Sequence, residues 1–418
     1  MTATLETAPA IIPARAMGRP RLTAGLDRAD RVGLAQHTAL HGPLASLDRP
    51  ALQALAEQAR LLGRGGAAFP VAAKLRSLPR RGAAAVVVNG SEGEPASQKD
   101  RLLMRRAPHL VLDGLEVVGA ALRARQLVVA VHDPLSARSL QVALSERPRS
   151  RHPIRIASTP DRFVSGEARA VLEGLGGRTA LPTGRRTLPT HQGLDGKPTF
   201  LSNAETFAQL AVLVRVGQAF GAVGSPEEPG TSLFSVGGTP SGVAVVEAPT
   251  GVLLTDLLSF AGADPTSTVL LGGYHGMVVG RPDGLALSRP SLREQGLSLG
   301  AGIVLALSHE TCSLGELTAA ADYLADASAG QCGPCVFGLP AVADDLRRTG
   351  RGDREARDRL TRRLALLPGR GACAHPDGAS RLIASFLTAV PHEVDLHLTH
   401  GSCGRPVRGE LPLPRGRR

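Results

Sequence analysis

From residue 83 to residue 157 the chain repeats one pattern, in which a short apolar run is followed by a helical segment and then by another short apolar run. The runs are Ala83 to Val88, Gln126 to His132 and Ile154 to Ala157, and Ala107 to Arg123 reads as one of the helices between them. Strands buried on both faces appear as near-continuous apolar runs, and strands alternating with helices assemble into an α/β sheet. That sheet is the predicted core. At 418 residues and 43% hydrophobic content, the chain has enough apolar material for several cores.

The remainder divides by texture. Residues 1–50 carry Pro and Gly without periodicity and are expected to be an extension packed over a core that spans 51–225. Within residues 230–295, Leu233 to Val236, Val243 to Glu247 and Val269 to Leu271 read as short strands, with one helix around Leu253 to Ala261, so a small β-rich domain is expected there. After Gly302 the sequence turns helical. Ser313 and Glu316 have capping-box spacing, and Leu317, Ala320 and Leu324 share one face. Further helices at about Val336 to Arg348, Arg354 to Leu367 and Gly378 to Ala389 make a four-helix bundle the expectation for 303–395. The tail, 396–418, is rich in Pro and Arg and is expected to be poorly ordered.

Charge and composition exclude several functions. The formal net charge is +11, but the basic residues are spread along the chain, aromatics are 3% and there is no Trp, so no nucleic-acid surface is expected. A basic surface remains suited to steering an acidic protein partner. No stretch reaches the roughly 20 apolar residues of a membrane span, and a cytoplasmic location is the expectation. Five cysteines are too few for a disulfide scaffold in a chain this long, and three of them fall in a pattern that suggests metal ligation.

Two elements carry chemistry. Gly63-Arg64-Gly65-Gly66-Ala67-Ala68-Phe69-Pro70 follows a helical stretch, Ala51 to Leu62, and leads to Lys74. Glycines let backbone N–H groups approach a phosphate, and the lysine supplies countercharge. The spacing is neither a dinucleotide fingerprint nor a P-loop, and alone it reads as a turn. The second element, Asn89-Gly90-Ser91-Glu92-Gly93-Glu94-Pro95, follows the first predicted strand, with Lys99-Asp100-Arg101 behind it. Carboxylates at a strand's carboxyl end lie where α/β sheets hold ligands, although solvated acidic loops are common.

Together these elements resemble a known family, the NADH-binding flavoprotein subunit of respiratory complex I (NADH:quinone oxidoreductase) and the related diaphorase subunits. The loop is similar to that family's G-R-G-G-A-G-F-P-T-G-x-K-W and the turn to its N-A-D-E-S/G-E-P-G-T-F-K-D-R. Phe163 to Ala168 is similar to Y-I-C-G-E-E, and Gly196 to Thr199 with Ser202 to Thr206 is similar to G-K-P-T-V-V-N-N-V-E-T. The resemblance covers about residues 50 to 395. It implies an α/β FMN-binding domain, a ubiquitin-like β-grasp domain and a C-terminal four-helix bundle carrying an iron–sulfur cluster. By the same resemblance Gly63, Arg64, Gly65, Gly66, Lys74, Asn89, Ser91, Glu92, Phe163, Gly166, Glu167, Ser202, Asn203 and Thr206 would surround FMN. Phe69 and Glu94 would face the nicotinamide nucleotide, and electrons would pass from NADH through FMN and the cluster to a ferredoxin or another redox subunit.

The pattern also breaks. Ser91, Phe163, Ala168 and Ser202 replace the family's Asp, Tyr, Glu and Asn, while Ser77 and Leu188 stand where it has aromatics. Of three rings that would stack on NADH, only Phe69 remains, and each lost aromatic pair is worth about 0.5–1.5 kcal/mol. Cys332, Cys335 and Cys373 keep three cluster positions, but Ala329 replaces the first. Four thiolates normally hold a 4Fe-4S cluster. Cys312 is one candidate for the fourth ligand, although a helix of about fourteen residues, roughly 21 Å long, separates it from the others. His375 is another, and Cys332, Cys335, Cys373 and His375 also form a zinc-type set. Reduced, empty thiols stand next after the cluster, with zinc third, and Cys403 reads as a bystander. The rival to an oxidoreductase is a non-catalytic regulatory or structural paralogue that keeps the fold without NADH turnover.

Overall fold

The computed structural model describes residues 11–79, 85–148, 153–184, 187–239 and 242–414. Residues 1–10 of the predicted extension, and residues 83 and 84 at the start of the first apolar run, lie outside the described residues. The strands are β1 (Ala14–Ala16), β2 (Ala85–Gly90), β3 (Gln126–Val131), β4 (Ile154–Ser158), β5 (Thr199–Asn203), β6 (Thr231–Thr239), β7 (Gly242–Pro249), β8 (Thr268–Leu271), β9 (Met277–Val279) and β10 (Ile303–Leu307).

Four of them form a parallel sheet in the order β4-β3-β2-β5. Alternate residues of β2 face opposite layers, as the period-2 geometry of a strand requires. Val86 and Val88 join a core with Leu110, Val111, Phe207 and Leu210 from the helices Pro108–Leu122 and Ala204–Val216, whereas Ala85 and Val87 meet Val171 and Leu172 of the helix Ala168–Leu175. The two long helices cross closely at Gly114, where an added Cβ would lie 1.9 Å from the Phe207 carbonyl oxygen. The chain runs outward from β2 to β3 and β4, then returns to the other side of β2 as β5. The carboxyl ends of β2 and β5 therefore flank the topological switch point, where doubly wound sheets bind ligands.

The second sheet is mixed, in the order β1-β7-β6-β10-β8-β9. β6 and β7 form an antiparallel hairpin, and β10 runs parallel to β6 and antiparallel to β8. Val304 and Ala306 of β10 pack toward the helix Leu254–Ala261, while Ile303, Leu305 and Leu307 pack toward the C-terminal helices. The helical expectation after Gly302 thus fails over its first stretch: Ile303 to Leu307 is a central strand, lying beyond the expected domain boundary at residue 295. A five-residue apolar run flanked by two strands gains both ladders of backbone hydrogen bonds there, which a helix would forgo.

The extension supplies β1, which pairs with β7, and it is pinned by the buried Glu247. That carboxylate accepts the backbone N–H groups of Leu22 and Thr23 and the hydroxyls of Thr23 and Thr231. Among the described residues, five C-terminal α-helices follow β10, namely Ser313–Asp326, Leu339–Thr349, Arg354–Leu366, His375–Ala389 and Pro391–His400. The residue capping the first is Cys312, whose Sγ accepts the Gly315 N–H at 3.3 Å. The expected Ser313–Glu316 box is therefore displaced by one residue, and Glu316 instead accepts from Thr311 and from the backbone N–H groups of Arg408 and Gly409. Those last contacts overturn the expectation of a poorly ordered tail as far as residue 414, and residues 415–418 lie outside the described residues. Leu411 is buried, and Glu410 accepts from the Ser308 N–H and hydroxyl.

Candidate functional site

The glycine loop closes on itself through a Gly63 N–H to Phe69 carbonyl bond of 3.0 Å and is fastened to the end of β5 by the Arg64 N–H, which donates to Thr206 Oγ1 at 2.9 Å. Thr206 in turn donates to Asn203. A Cβ at Gly65 or Gly66 would meet nothing within 4 Å, so the loop's outer backbone is open to a ligand. The Arg64 side chain runs the other way, into a buried ion pair with Glu228 that Arg289 shares. Lys74, on the helix Val71–Arg76, donates to the Leu201 carbonyl at 2.8 Å, and burial pulls its ammonium down to about 8.

Across the switch point, Asn89 donates to the Gly166 carbonyl at 2.8 Å and so joins the acidic turn to the segment Phe163–Gly166. The two backbones touch: a Cβ on Gly93 would sit 2.4 Å from the Arg162 carbonyl oxygen, and one on Gly166 would sit 2.6 Å from that of Ser91. Ser91 and Thr159 share a hydroxyl–hydroxyl bond of 2.6 Å, and Ser202 is buried in β5. The Glu92 carboxylate is consumed at the start of the helix Lys99–Arg106, where it accepts from Ser97 and from the Asp100 and Arg101 N–H groups. Glu167 likewise caps the helix Ala168–Leu175 through the Arg169 and Ala170 N–H groups, and burial raises its carboxyl. Behind the turn, Lys99, Asp100 and Glu205 form a buried ionic cluster, and Asn203 reaches Asp100 at 3.3 Å. The sequence signal for these was only their proximity to the two motifs.

Glu94 differs from the other carboxylates of the turn. The residue is half-buried and accepts the Tyr274 N–H at 3.2 Å, and its Oε1, itself buried, has no hydrogen-bond partner among the described residues. Burial, reinforced by the charge of Glu92, pushes it up to about 8, so the carboxyl holds a proton at neutral pH. The chain contains two tyrosines, Tyr274 and Tyr323, and both come to this place, with ring centroids 6.0 Å apart. The Tyr274 hydroxyl is also buried without a partner among the described residues. Phe163 packs edge-on against His275 at 4.8 Å, His375 at 5.3 Å and Tyr323 at 6.0 Å. Phe69 stands 41% exposed at the mouth of the glycine loop and Leu188 is 46% exposed, while Ser77 is turned to Lys74 and Thr190.

The thiols divide into two groups. Cys332, Cys335 and Cys373 converge, and burial together with the other two thiols pushes Cys335 up to about 12. The Cys373 thiol, raised chiefly by burial, also feels the carboxylate of Glu167, and Gly184 backs onto Ala372, so this group abuts the Phe163–Glu167 side of the switch point. Cys312 is not brought to it. It caps the far end of the fourteen-residue helix Ser313–Asp326, about 21 Å away along the axis, beside Cys403. His375 does not serve either, because one ring nitrogen lies 2.9 Å from His275 and the other 2.8 Å from the Leu324 carbonyl, which removes the Cys₃His zinc set.

The residues fit the two groups that the sequence pattern implies. An open glycine backbone beside a half-buried lysine, whose hydrogen bond among the described residues goes to a neutral carbonyl, suits a phosphate, and the Glu94 and Tyr274 oxygens left without partners among those residues suit a polar ring edge or carboxamide. Three converging thiols suit an iron–sulfur cluster with one iron bound by something other than a cysteine of that set.

A parallel α/β sheet with a phosphate-ready loop at its switch point, set against a helical region with converging thiols, is the build of a nucleotide-binding electron-transfer protein. A family model described as the Nuo51 FMN-binding domain matches residues 56–212, and one described as the NADH-ubiquinone oxidoreductase-F iron-sulfur binding region matches residues 316–397. The chain is 28% identical over 376 residues to an NADH-quinone oxidoreductase subunit of Rhizobium meliloti, covering 84% of this chain and 89% of that one. It is 25% identical over 374 residues to the NADP-reducing hydrogenase subunit HndC of Solidesulfovibrio fructosivorans, covering 84% and 76%. Among solved structures, an NAD+-reducing NiFe-hydrogenase in the H2-reduced state matches with a TM-score of 0.78 and 25% identity, covering 93% of this chain and 68% of that one. Over both regions the chain is thus similar to the F subunits of NADH-quinone oxidoreductases.

Proposed function

We propose that this chain is the FMN-bearing, NADH-oxidising subunit of a multi-subunit oxidoreductase, passing electrons through an iron–sulfur cluster to a ferredoxin or another redox subunit. The observation that carries this reading is the shared wall between the two sites. Phe163 to Glu167 meets the acidic turn at the switch point on one side, through the Asn89–Gly166 bond and the backbone of Gly93, and on the other Phe163 packs against His375 and Glu167 acts on Cys373. FMN accepts two electrons from a hydride donor and releases them singly, and the cluster takes them one at a time.

The chain's own residues bind and orient. Gly65 and Gly66 offer backbone N–H groups to the FMN phosphate, Lys74 balances its charge, and Asn89 and Asn203 hold the turn and the β5 end at a fixed separation. Phe69 presents a ring to the nicotinamide nucleotide. Glu94, neutral because it is buried, accepts an anionic dinucleotide without charge repulsion. Cys332, Cys335 and Cys373 hold the cluster, leaving one iron without a cysteine from this set.

The domain plan belongs to the same reading: an α/β FMN domain over 51–225 behind the 1–50 extension, a β-grasp domain over 230–295 that β10 completes, a helical domain after β10 whose first four helices, within residues 313–389, form the bundle, and a tail that begins inside the fifth helix, Pro391–His400. The hairpin of β6 and β7, the helix Leu254–Ala261 and the central parallel pair of β6 and β10 support the β-grasp assignment. No helix among the described residues is long and apolar enough to cross a membrane, which suits a cytoplasmic subunit docked to its partner.

The test is the anaerobic absorption spectrum of iron-loaded protein before and after NADH. A flavin band on a broad cluster absorption, both bleached by NADH, is expected. A flavin that NADH leaves oxidised would instead support the non-catalytic paralogue.

A further inference from the structure

The second thiol group lies at the far end of the C-terminal helices from Cys332, Cys335 and Cys373. Cys312 Sγ, His397 Nε2, Cys403 Sγ and a Glu393 oxygen all lie within 4.8 Å of one another, with the first two residues and Glu393 buried and Cys403 half-buried. Local structure builds this convergence. Glu393 and His397 are four residues apart on the helix Pro391–His400 and so share a face. Gly401, with φ +73°, ends that helix in the left-handed turn that favours glycine and brings Cys403 back against it. Cys312 arrives from the start of another helix, and its N–H is fixed by the Pro406 carbonyl at 2.8 Å.

We propose that Cys312, His397, Cys403 and Glu393 form a tetrahedral site for a divalent transition-metal ion, zinc by the chemistry of its donors. The orientation of His397 is the first argument. Its Nδ1 lies 2.7 Å from the Gly350 carbonyl, which can only accept, so Nδ1 carries the proton and the Nε2 lone pair faces Cys312 at 3.2 Å. Metal-ligating histidines are typically set in this way by a backbone carbonyl. Glu393 is steadied by the Leu314 N–H at 2.8 Å and by Arg405, and each of its oxygens keeps a further lone pair. Charge is the second argument. Two thiolates and a carboxylate sum to −3, a divalent ion leaves −1, and Arg405, which pairs with Glu393 and faces Cys403, brings the site to neutrality. A Cys₂His set with one carboxylate suits zinc rather than the oxygen-seeking alkaline-earth ions. Bound there, the ion would tie the C-terminal tail and the last helix to the start of the helix Ser313–Asp326, and so would be structural.

The test uses the full-length chain purified without chelators and a triple variant, Cys332→Ser/Cys335→Ser/Cys373→Ser, in which the other thiols cannot take up zinc. Elemental analysis of both proteins should give about one zinc per chain, with the zinc absorption edge showing two sulfurs near 2.3 Å and lighter donors near 2.0–2.1 Å. Adding Cys403→Ser to the triple variant should lower zinc occupancy by roughly tenfold or more. In the otherwise native chain, Cys403→Ser should leave the flavin and iron content unchanged. Zinc retained after Cys403→Ser, three sulfurs at the edge of the native protein, or a Cys312–Cys403 disulfide in its mass spectrum would each overturn the site. The absorption edge is read on native protein, so misfolding of a variant does not shield the idea.

Discussion

Lys74 shows how much of this site depends on single buried charges. Burial lowers its ammonium from the usual 10.5 to about 8, so the folded chain binds that proton less tightly than the unfolded chain does. With the folded value below the unfolded one, the penalty is complete below about pH 8 and disappears as pH rises toward 10.5. A phosphate beside Lys74 would reverse this, since the pair favours the charged form. Charge-assisted hydrogen bonds contribute about 1.5–3 kcal/mol, or roughly 10- to 100-fold in affinity. Lys74→Met should therefore weaken FMN by that factor, leave riboflavin within about twofold, and raise the melting temperature of the apoprotein at pH 7. Calorimetric titration with the two flavins is decisive, because equal weakening of both would remove the phosphate from Lys74. At this scale the sequence was legible where backbone chemistry dominates, as in the glycine loop and the turn at Gly93. It was not legible where side chains from distant elements decide, because nothing in the acidic turn announces that Glu92 caps a helix while Glu94 is left with Tyr274, 180 residues away, as its neighbour.

Helices and strands were legible where the apolar pattern was long and bounded. The prediction of Ala107 to Arg123 came within one residue at each end of the observed Pro108–Leu122, because Pro108 starts it and Arg123 ends it in a left-handed conformation. Short elements were settled by tertiary contacts instead. Ile303 to Leu307 is a strand because β6 and β8 flank it, and Ala14 to Ala16 pairs with β7 because Glu247 anchors the residues that follow. The close crossing of Pro108–Leu122 with Ala204–Val216 supplies a test of the packing that positions the cleft. A methyl at Gly114 would lie 1.9 Å from the Phe207 carbonyl oxygen, well inside contact distance, so the helices would have to separate. Overpacking of this kind costs about 1–3 kcal/mol. Because Ala204–Val216 begins at the proposed FMN residues Asn203 and Thr206, Gly114→Ala should lower both the melting temperature and the FMN retained per chain, measured by thermal denaturation and by flavin absorbance after gel filtration. Full retention of FMN at a lowered melting temperature would show that the crossing supports the core alone.

For the whole molecule, the proposed function raises the question of which acceptor would take electrons beyond the wall at Phe163. The chain carries 48 basic against 37 acidic side chains, a formal charge of +11, and many arginines of the C-terminal helices are spent internally, as Arg359 and Arg363 are on Asp345. The excess is spread rather than gathered into one strip, so its consequence is long-range steering of an acidic partner rather than a specific ion pair. Steering of this kind raises association rates about 10- to 1,000-fold at low salt and decays as the Debye length shrinks from about 10 Å at 0.1 M to 3 Å at 1 M. An acidic ferredoxin supplied as acceptor should therefore be reduced by NADH with a second-order rate constant that falls at least about tenfold between 0.05 and 0.5 M salt. A neutral quinone analogue should change by less than about twofold, since it has no charge to steer. Stopped-flow traces with both acceptors separate the cases. If the two rates fall together, salt acts on the NADH side of the flavin, and the basic surface has no part in choosing the partner.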